Sequence, residues 1–350
     1  MNPLLEKLGI THPIFLAPMA GVSTPALAAA VSNAGGLGSI GLGACTAEKA
    51  AEQIRHTYDQ TEHPFNANLF CHRAADKDPT REQAWLSYLA PHFAALGATA
   101  PAQINEPYPT FIDNEKMLAA LLQEKPPAVS FHFGLPSEAF IVALKNAGIT
   151  LIATATSLEE AKLAESFGID ILVAQGIEAG GHRGVFNPDR DEELGTLALV
   201  RLLSCQSRLP IVAAGGIMDG AGIRAALSLG ASAVQMGTAF ILCPESAASD
   251  TYRAALQSER AQHTNITANI SGRPARGITN HFYNELNLGA PPLPDYPIAY
   301  AAGKALALAD AKAGTEDFAV QWAGQGAPLA RALPAASLMA TLVAELNATS

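Results

Sequence analysis

Two glycine-rich turns, a histidine set among glycines and a Tyr–Lys pair are the features of this chain whose residue types carry chemistry. The run AAGGIMDG holds Gly215 and Gly216, where a backbone without side chains can approach an anion closely, and Asp219 can cap the helix that follows. Further on, VQMGTAF offers Gly237 and Thr238. One isolated Gly pair usually serves only a tight turn. Two such turns, each ending an apolar run, suggest a phosphate, because unpaired backbone N–H groups attract negative charge there. His182 lies in GGHRG, where the flanking glycines leave its imidazole accessible. With an ordinary pKa of about 6.5 it can take a proton or stay charged, although a lone histidine is more often structural. Tyr300 and Lys304 are four residues apart and share one helical face, so a phenol and an ammonium can close over an anion. A solvated helix face reads the same way.

The elements that must hold these residues repeat a simple unit: a short β-rich apolar run, a Gly-rich or polar turn, then an Ala/Leu-rich helical stretch. Eight such strands are predicted, at Pro13–Met19, Leu37–Gly41, Phe65–Phe70, Ala128–Phe133, Thr150–Thr156, Ile171–Gln175, Pro210–Gly215 and Ala233–Phe240. Helical spacing is visible between them, for instance at Leu158–Phe167 and Ala221–Leu229, and in the long third connection at Trp85–Leu96 and Asn114–Leu122. An open doubly wound sheet uses the same elements. The paired phosphate signals after the last two strands favour closure into an α/β (β/α)₈ TIM barrel. From Pro244 the alternation stops, and a polar helical stretch, Asp250–Gln262, leads to TANISGRPARGITN and GAPPLPDYP. The expected division is a barrel from 1–244 plus 311–350 and a small inserted lid or substrate domain over 245–310. The Gly-rich turn in QWAGQGAPLARAL is positioned to return to the barrel mouth.

Composition limits the partners. The net charge is −10 and no basic run occurs, which argues against nucleic acid or an anionic membrane surface. Nearly half the residues are apolar (49%) and only 15% are charged, enough for a large core. Cys45, Cys71, Cys205 and Cys243 are far apart, so neither a zinc site nor a disulfide framework is expected. No signal-peptide pattern opens the chain, and no stretch offers roughly 18 uninterrupted apolar residues. A soluble cytoplasmic protein is expected, compatible with assembly into a homo-oligomer. No nucleotide-triphosphate loop occurs, and AGGLGSIG lacks the spacing and acidic residue of a dinucleotide fold.

The opening run PIFLAPMAGVSTPALAAAVSNAGGLGSIGLG closely resembles that of class I nitronate monooxygenases, formerly called 2-nitropropane dioxygenases. FNANLFCH, FHFGLP, VAQGIEAGGHRG, AAGGIMDG, QMGTAF and ISGRPARG resemble the family's signatures in the same order. The resemblance implies noncovalent FMN and oxidation of alkyl nitronates such as propionate 3-nitronate by O2, through a flavin semiquinone, to carbonyl compounds and nitrite or nitrate. Detoxification is the role the family suggests. Carried over motif by motif, the FMN contacts fall on Asn68, Gln175, Gly180, Gly216 and Gln235, Met236, Gly237 and Thr238, with Gly215 beside them and Met19 against the ring. Amides such as Asn68 and Gln175 both donate and accept, as a flavin's ring edge requires.

On the same resemblance His182 is the catalytic residue, removing a carbon-bound proton from a neutral nitroalkane or holding an anionic nitronate. His132, Tyr108, Tyr300 and Lys304 are the candidate substrate contacts. His72 and Cys71 have strong structural readings, Arg183 receives no role, and Arg273 with Arg276 reads as a loop clamp for an anion or a neighbouring subunit. The main rival is an NAD(P)H-dependent flavin reductase acting on an enoyl thioester or quinone, because enoyl-acyl-carrier reductases share the GIEAGGHxG pattern. A redox-inert FMN-binding protein and a flavin-free sugar-phosphate barrel are further alternatives. The last needs a lysine nucleophile or paired carboxylates, which the predicted strand ends lack.

Overall fold

The computed structural model describes residues 2–286 and 289–348. Residues 1, 287, 288, 349 and 350, which fall within the expected segments, lie outside the described residues. The strands, in chain order, are β1 (Ile14–Leu16), β2 (Gly38–Gly41), β3 (Phe65–Phe70), β4 (Ala128–His132), β5 (Thr150–Ala155), β6 (Ile171–Gln175), β7 (Gly181–His182), β8 (Ile211–Ala214), β9 (Ala233–Met236), β10 (Thr264–Thr267) and β11 (Ala275–Ile278). Eight of them pair in parallel in the order β1-β9-β8-β6-β5-β4-β3-β2. A parallel bridge between Phe15 and Leu37 joins the first to the last, so the ring closes. This is the expected (β/α)₈ barrel.

Two strand ends fall short of expectation by more than one residue. The run to Phe240 stops at Met236, because Gly237 leaves the extended region and Thr238–Ile241 turns into a short helix. The run to Met19 stops at Leu16. Pro18 has no N–H to give the ladder, and the Met19 N–H goes to Ser23 Oγ at 3.0 Å instead.

Side chains along a strand alternate between the lumen and the helix layer. The lumen is apolar at one end, filled by Phe15, Leu37, Ala128, Ile152, Ile171, Val173, Val212 and Ala233, and plugged by Leu4 and Leu8 of the helix Pro3–Leu8. Two residues further along the same strands the lumen turns polar, with Ser130, Thr154, Gln175 and Gln235. The carboxyl-terminal rim is therefore where ligands can be met.

A second apolar cluster lies over the barrel. It joins Trp85, Leu89 and Phe93 of the helix Pro79–Ala95 to Ile298, Ala302 and Leu306 of the helix Ile298–Ala313, with Ile270 and Phe282. Part of this cluster thus comes from the connection before β4 as well as from residues 245–310. The last helix, Ala335–Asn347, packs against both Pro25–Asn33 and Gly220–Ser228.

Close helix–strand packing sets Gly38. A Cβ there would stand 2.0 Å from the Ala28 carbonyl oxygen and 2.6 Å from Ser32 Oγ. Gly38→Ala is expected to lower unfolding free energy by about 3 kcal/mol, read from urea denaturation; a change within error would show that β2 and the helix can separate freely.

Candidate active site

A cavity of about 420 Å³ opens at the carboxyl-terminal rim. Its lining includes every site residue proposed from the sequence: Met19, Asn68, Gln175, Gly180, Gly215, Gly216 and Gln235 to Thr238, together with Tyr108, His132, His182, Tyr300 and Lys304.

The glycine turns have the geometry of an anion site. Gly215 and Gly216 have φ of 127° and 70°, left-handed values that side chains resist. The N–H groups of Gly215, Gly216 and Gly237 have no backbone acceptor among the described residues. Thr238 Oγ1 accepts from the Gly324 N–H at 3.0 Å, leaving its own proton to donate. Asp219 caps the following helix, accepting from the Gly222 N–H at 2.8 Å. Gly180 is needed for a different reason. A Cβ there would lie 2.5 Å from the Gly324 nitrogen, so it admits the C-terminal return loop, which also bonds Gln325 N–H to the Glu178 carbonyl at 2.9 Å.

The two amides are partly committed. Asn68 Nδ2 donates to Ser130 Oγ at 2.9 Å, with Oδ1 left as an acceptor. Gln175 Nε2 donates to the His182 carbonyl at 3.0 Å, and its Oε1 accepts from the Gly184 N–H at 2.6 Å. Gln175 therefore shapes the GGHRG segment and keeps only one N–H to offer a ligand.

That segment is more ordered than a loop. Gly181 and His182 form β7, antiparallel to β11, with His182 opposite Ala275. The His182 carbonyl also accepts from His132 Nε2 at 3.2 Å, which fixes the proton of that ring on Nε2 and leaves Nδ1 to accept from Thr154 Oγ1 at 3.1 Å. His182 Nε2 lies 2.8 Å from Ser271 Oγ. The ordinary imidazole pKa expected for His182 does not hold. Burial, followed by the charges of His132, Arg273 and Lys304, pushes it down to about 3, and burial pushes His132 down to about 4. Both rings are neutral at physiological pH, so His182 is able to accept a proton and is not a standing cation.

Aromatic rings close the remaining wall. Around the His182 ring stand Trp322 at 5.2 Å, Phe133 and Tyr296 each at 5.7 Å and Tyr300 at 5.9 Å. The Tyr108 and Tyr296 hydroxyls are 2.9 Å apart. Lys304 Nζ sits 4.4 Å from the Tyr300 ring and 5.5 Å from the Tyr108 ring, within cation–π range. Phe133, Tyr296, Trp322 and Ser271 escaped the sequence reading. Tyr296 could have been found, since 296, 300 and 304 continue one four-residue spacing; the others carry no local signal.

The remaining sequence candidates are structural neighbours. Burial drives the Cys71 thiol well above its usual range, which makes it inert. His72 is buried, 4.9 Å from the Tyr296 ring. Arg183 pairs with Asp191 at 2.7 Å and donates to the Gln175 and Gly176 carbonyls. Arg273 donates to the Val185 and Phe186 carbonyls, and Arg276 to that of Ile177.

Comparison with known proteins gives the family. The family described as nitronate monooxygenase matches residues 1–345. The chain is 59% identical over 342 residues to a nitronate monooxygenase of Pseudomonas aeruginosa, covering 97% of each chain. It is 58% identical over 349 residues to one of Paraburkholderia phytofirmans, covering 98% of this chain and 94% of that one. Among solved structures, a nitroalkane oxidase from Streptomyces ansochromogenes superposes with a TM-score of 0.89 at 38% identity, covering 98% of this chain and 97% of that one. With matches over nearly its full length, the chain belongs to the nitronate monooxygenase family, and it is an oxidoreductase built on a TIM barrel.

Proposed function

We propose that the cofactor is FMN, that O2 is the oxidant, and that alkyl nitronates with an anionic tail, such as propionate 3-nitronate, are the substrates. The observation that carries this reading is that one cavity is lined both by glycine turns with free N–H groups and by a neutral histidine among aromatic rings and a lysine. The residues fit the cofactor. Gly215, Gly216, Gly237 and Thr238 suit a phosphate, Asn68 Oδ1 and the spare Gln175 N–H suit a ring edge, and Met19 supplies an apolar, polarisable wall. Bound FMN would supply an electron acceptor for the nitronate.

The chain's own work is binding and proton handling. For a neutral nitroalkane, the proton on the carbon bearing the nitro group passes to His182, and the electron pair stays on the substrate as a nitronate. The positive charges of Arg273 and Lys304 favour that anion. A substrate already ionised needs no base. The Lys304 ammonium, held over the rings of Tyr300 and Tyr108, suits a substrate carboxylate. The four free thiols and the absence, among the described residues, of any helix long and apolar enough to cross a membrane are consistent with work in the cytoplasm.

The test of the cofactor reading is a visible spectrum of the purified protein, followed by anaerobic additions. Flavin absorbance that changes with propionate 3-nitronate and ignores NADH is expected. Bleaching by NADH favours a reductase, and failure to take up FMN removes the cofactor reading. His182→Asn should cut kcat/KM about 100-fold on a neutral nitroalkane and far less on its nitronate; equal losses would remove the base role. The base must be unprotonated to act, so a depressed pKa extends activity to lower pH. The kcat/KM profile for a neutral nitroalkane should therefore lack an inflection near 6.5, with its acid limb nearer 3; an inflection at the ordinary imidazole value would contradict the assignment. Lys304→Met should raise KM about tenfold for the carboxylated nitronate, and an equal rise for an uncharged-tail nitronate would deny it the carboxylate.

A further inference from the structure

Ser271 is fully buried in the turn between β10 and β11, in the ISGRPARG run, and it does not line the cavity. Its Oγ is the one polar partner of the His182 ring among the described residues, 2.8 Å from Nε2. The turn itself is held from behind: Gly272 has φ of 90°, and a Cβ there would lie 2.9 Å from the Pro294 carbonyl oxygen. Ser271 therefore has a fixed backbone from which to present its hydroxyl.

The hydrogen-bond accounting of that hydroxyl decides which nitrogen of His182 carries the proton. A serine has one proton to donate and two lone pairs. The Arg273 N–H donates to Ser271 Oγ at 3.2 Å, and the hydroxyl donates to the Arg273 carbonyl at 3.1 Å. No other donor reaches that carbonyl among the described residues, so turning the hydroxyl proton towards His182 would orphan a backbone acceptor. With its proton committed, Ser271 Oγ can only accept from His182, which places a hydrogen on Nε2. Nδ1 is then the unprotonated nitrogen, and it has no protein partner among the described residues.

We propose that Ser271 is a positioning residue for His182: it holds the imidazole as the Nε2–H tautomer and orients it, so that Nδ1 is the atom that receives the substrate proton. The proposal rests on the reading of His182 as the base. In the transfer, the carbon–hydrogen bond breaks, the proton moves to Nδ1, and the pair remains on the nitronate. The cation so formed keeps its Nε2–H on Ser271 throughout, and no movement of the ring is required.

The experiment is a long-range 1H–15N correlation spectrum of the FMN-loaded enzyme labelled with 15N-histidine, with the His182 signals identified by their loss in His182→Asn. The expected result is the Nε2–H tautomer at His182 in the unsubstituted enzyme, and its loss or mixing in Ser271→Ala. In kinetics, Ser271→Ala should lower kcat/KM on a neutral nitroalkane by about 10–100-fold, a loss at least several times larger than that on the corresponding nitronate. An Nδ1–H tautomer in the unsubstituted enzyme overturns the proposal, as does an unchanged tautomer in Ser271→Ala or an equal loss on both substrates. The spectrum needs no variant at position 271, so a failure of Ser271→Ala to fold leaves it decisive. If His182→Asn oxidises neutral nitroalkanes normally, the base reading fails by itself, while the spectrum still reports whether Ser271 sets the ring.

Discussion

A closed parallel barrel constrains which residues can face its lumen. Every strand edge is paired, so the interior is reached only from the two ends, and side chains alternate between lumen and helix layer along each strand. In this chain one end is stoppered by Leu4 and Leu8 over a floor of Phe15, Leu37, Ile171 and Val212. The other end is left for polar groups. A single step of two residues along β4, β5 or β6 converts Ala128 to Ser130, Ile152 to Thr154 or Val173 to Gln175. Chemistry is thereby confined to one rim, and the site's polar atoms rest on an apolar base that excludes water from below.

The backbone carbonyl of His182 gathers much of that rim. It accepts from both His132 and Gln175, whose other contacts reach Thr154 and Gly184. Strands β4, β5 and β6 are thus joined to β7 through one oxygen atom. The charges around it also act together. Arg273 is buried with no carboxylate partner among the described residues, and it stands 4.6 Å over the Phe133 ring. Beside burial, its charge helps keep both histidines neutral, and that of Lys304 acts on His182 in the same direction. Lys304 lines the cavity with no carboxylate partner among the described residues, and a cavity with that charge and no protonated imidazole favours an anion.

Much of this was legible in the sequence because the signals are local. Alternating βα units predict a parallel α/β fold, open or closed, and Gly215–Gly216 and Gly237–Thr238 after its last two strands favour closure into a barrel. What could not be read depends on distant segments meeting. Ser271 is 89 residues from His182. Trp322 and Phe133 reach the same imidazole from opposite parts of the chain, and Phe133 has a left-handed φ of 74° that nothing in FHFGLP announces beyond the glycine after it. The expected imidazole pKa failed for the same reason: burial and the charges of Arg273 and Lys304 are properties of the assembled site. Gln175 shows the intermediate case, since its place on the rim is legible while the spending of its amide on the His182 segment is not.

The docking of the helix Ala335–Asn347 between Pro25–Asn33 and Gly220–Ser228 bears on how the molecule is made. The eighth strand of the ring ends at Met236, yet the helix that seals the seam beside it begins at Ala335. During synthesis the strands are available long before that seal exists. The faces of Pro25–Asn33 and Gly220–Ser228 that pack on it must wait until the helix Ala335–Asn347 emerges, and the loop that bonds Gly324 to Thr238 arrives only shortly before it. The turn that carries Thr238 is consequently completed only after residues far beyond the eighth strand have emerged.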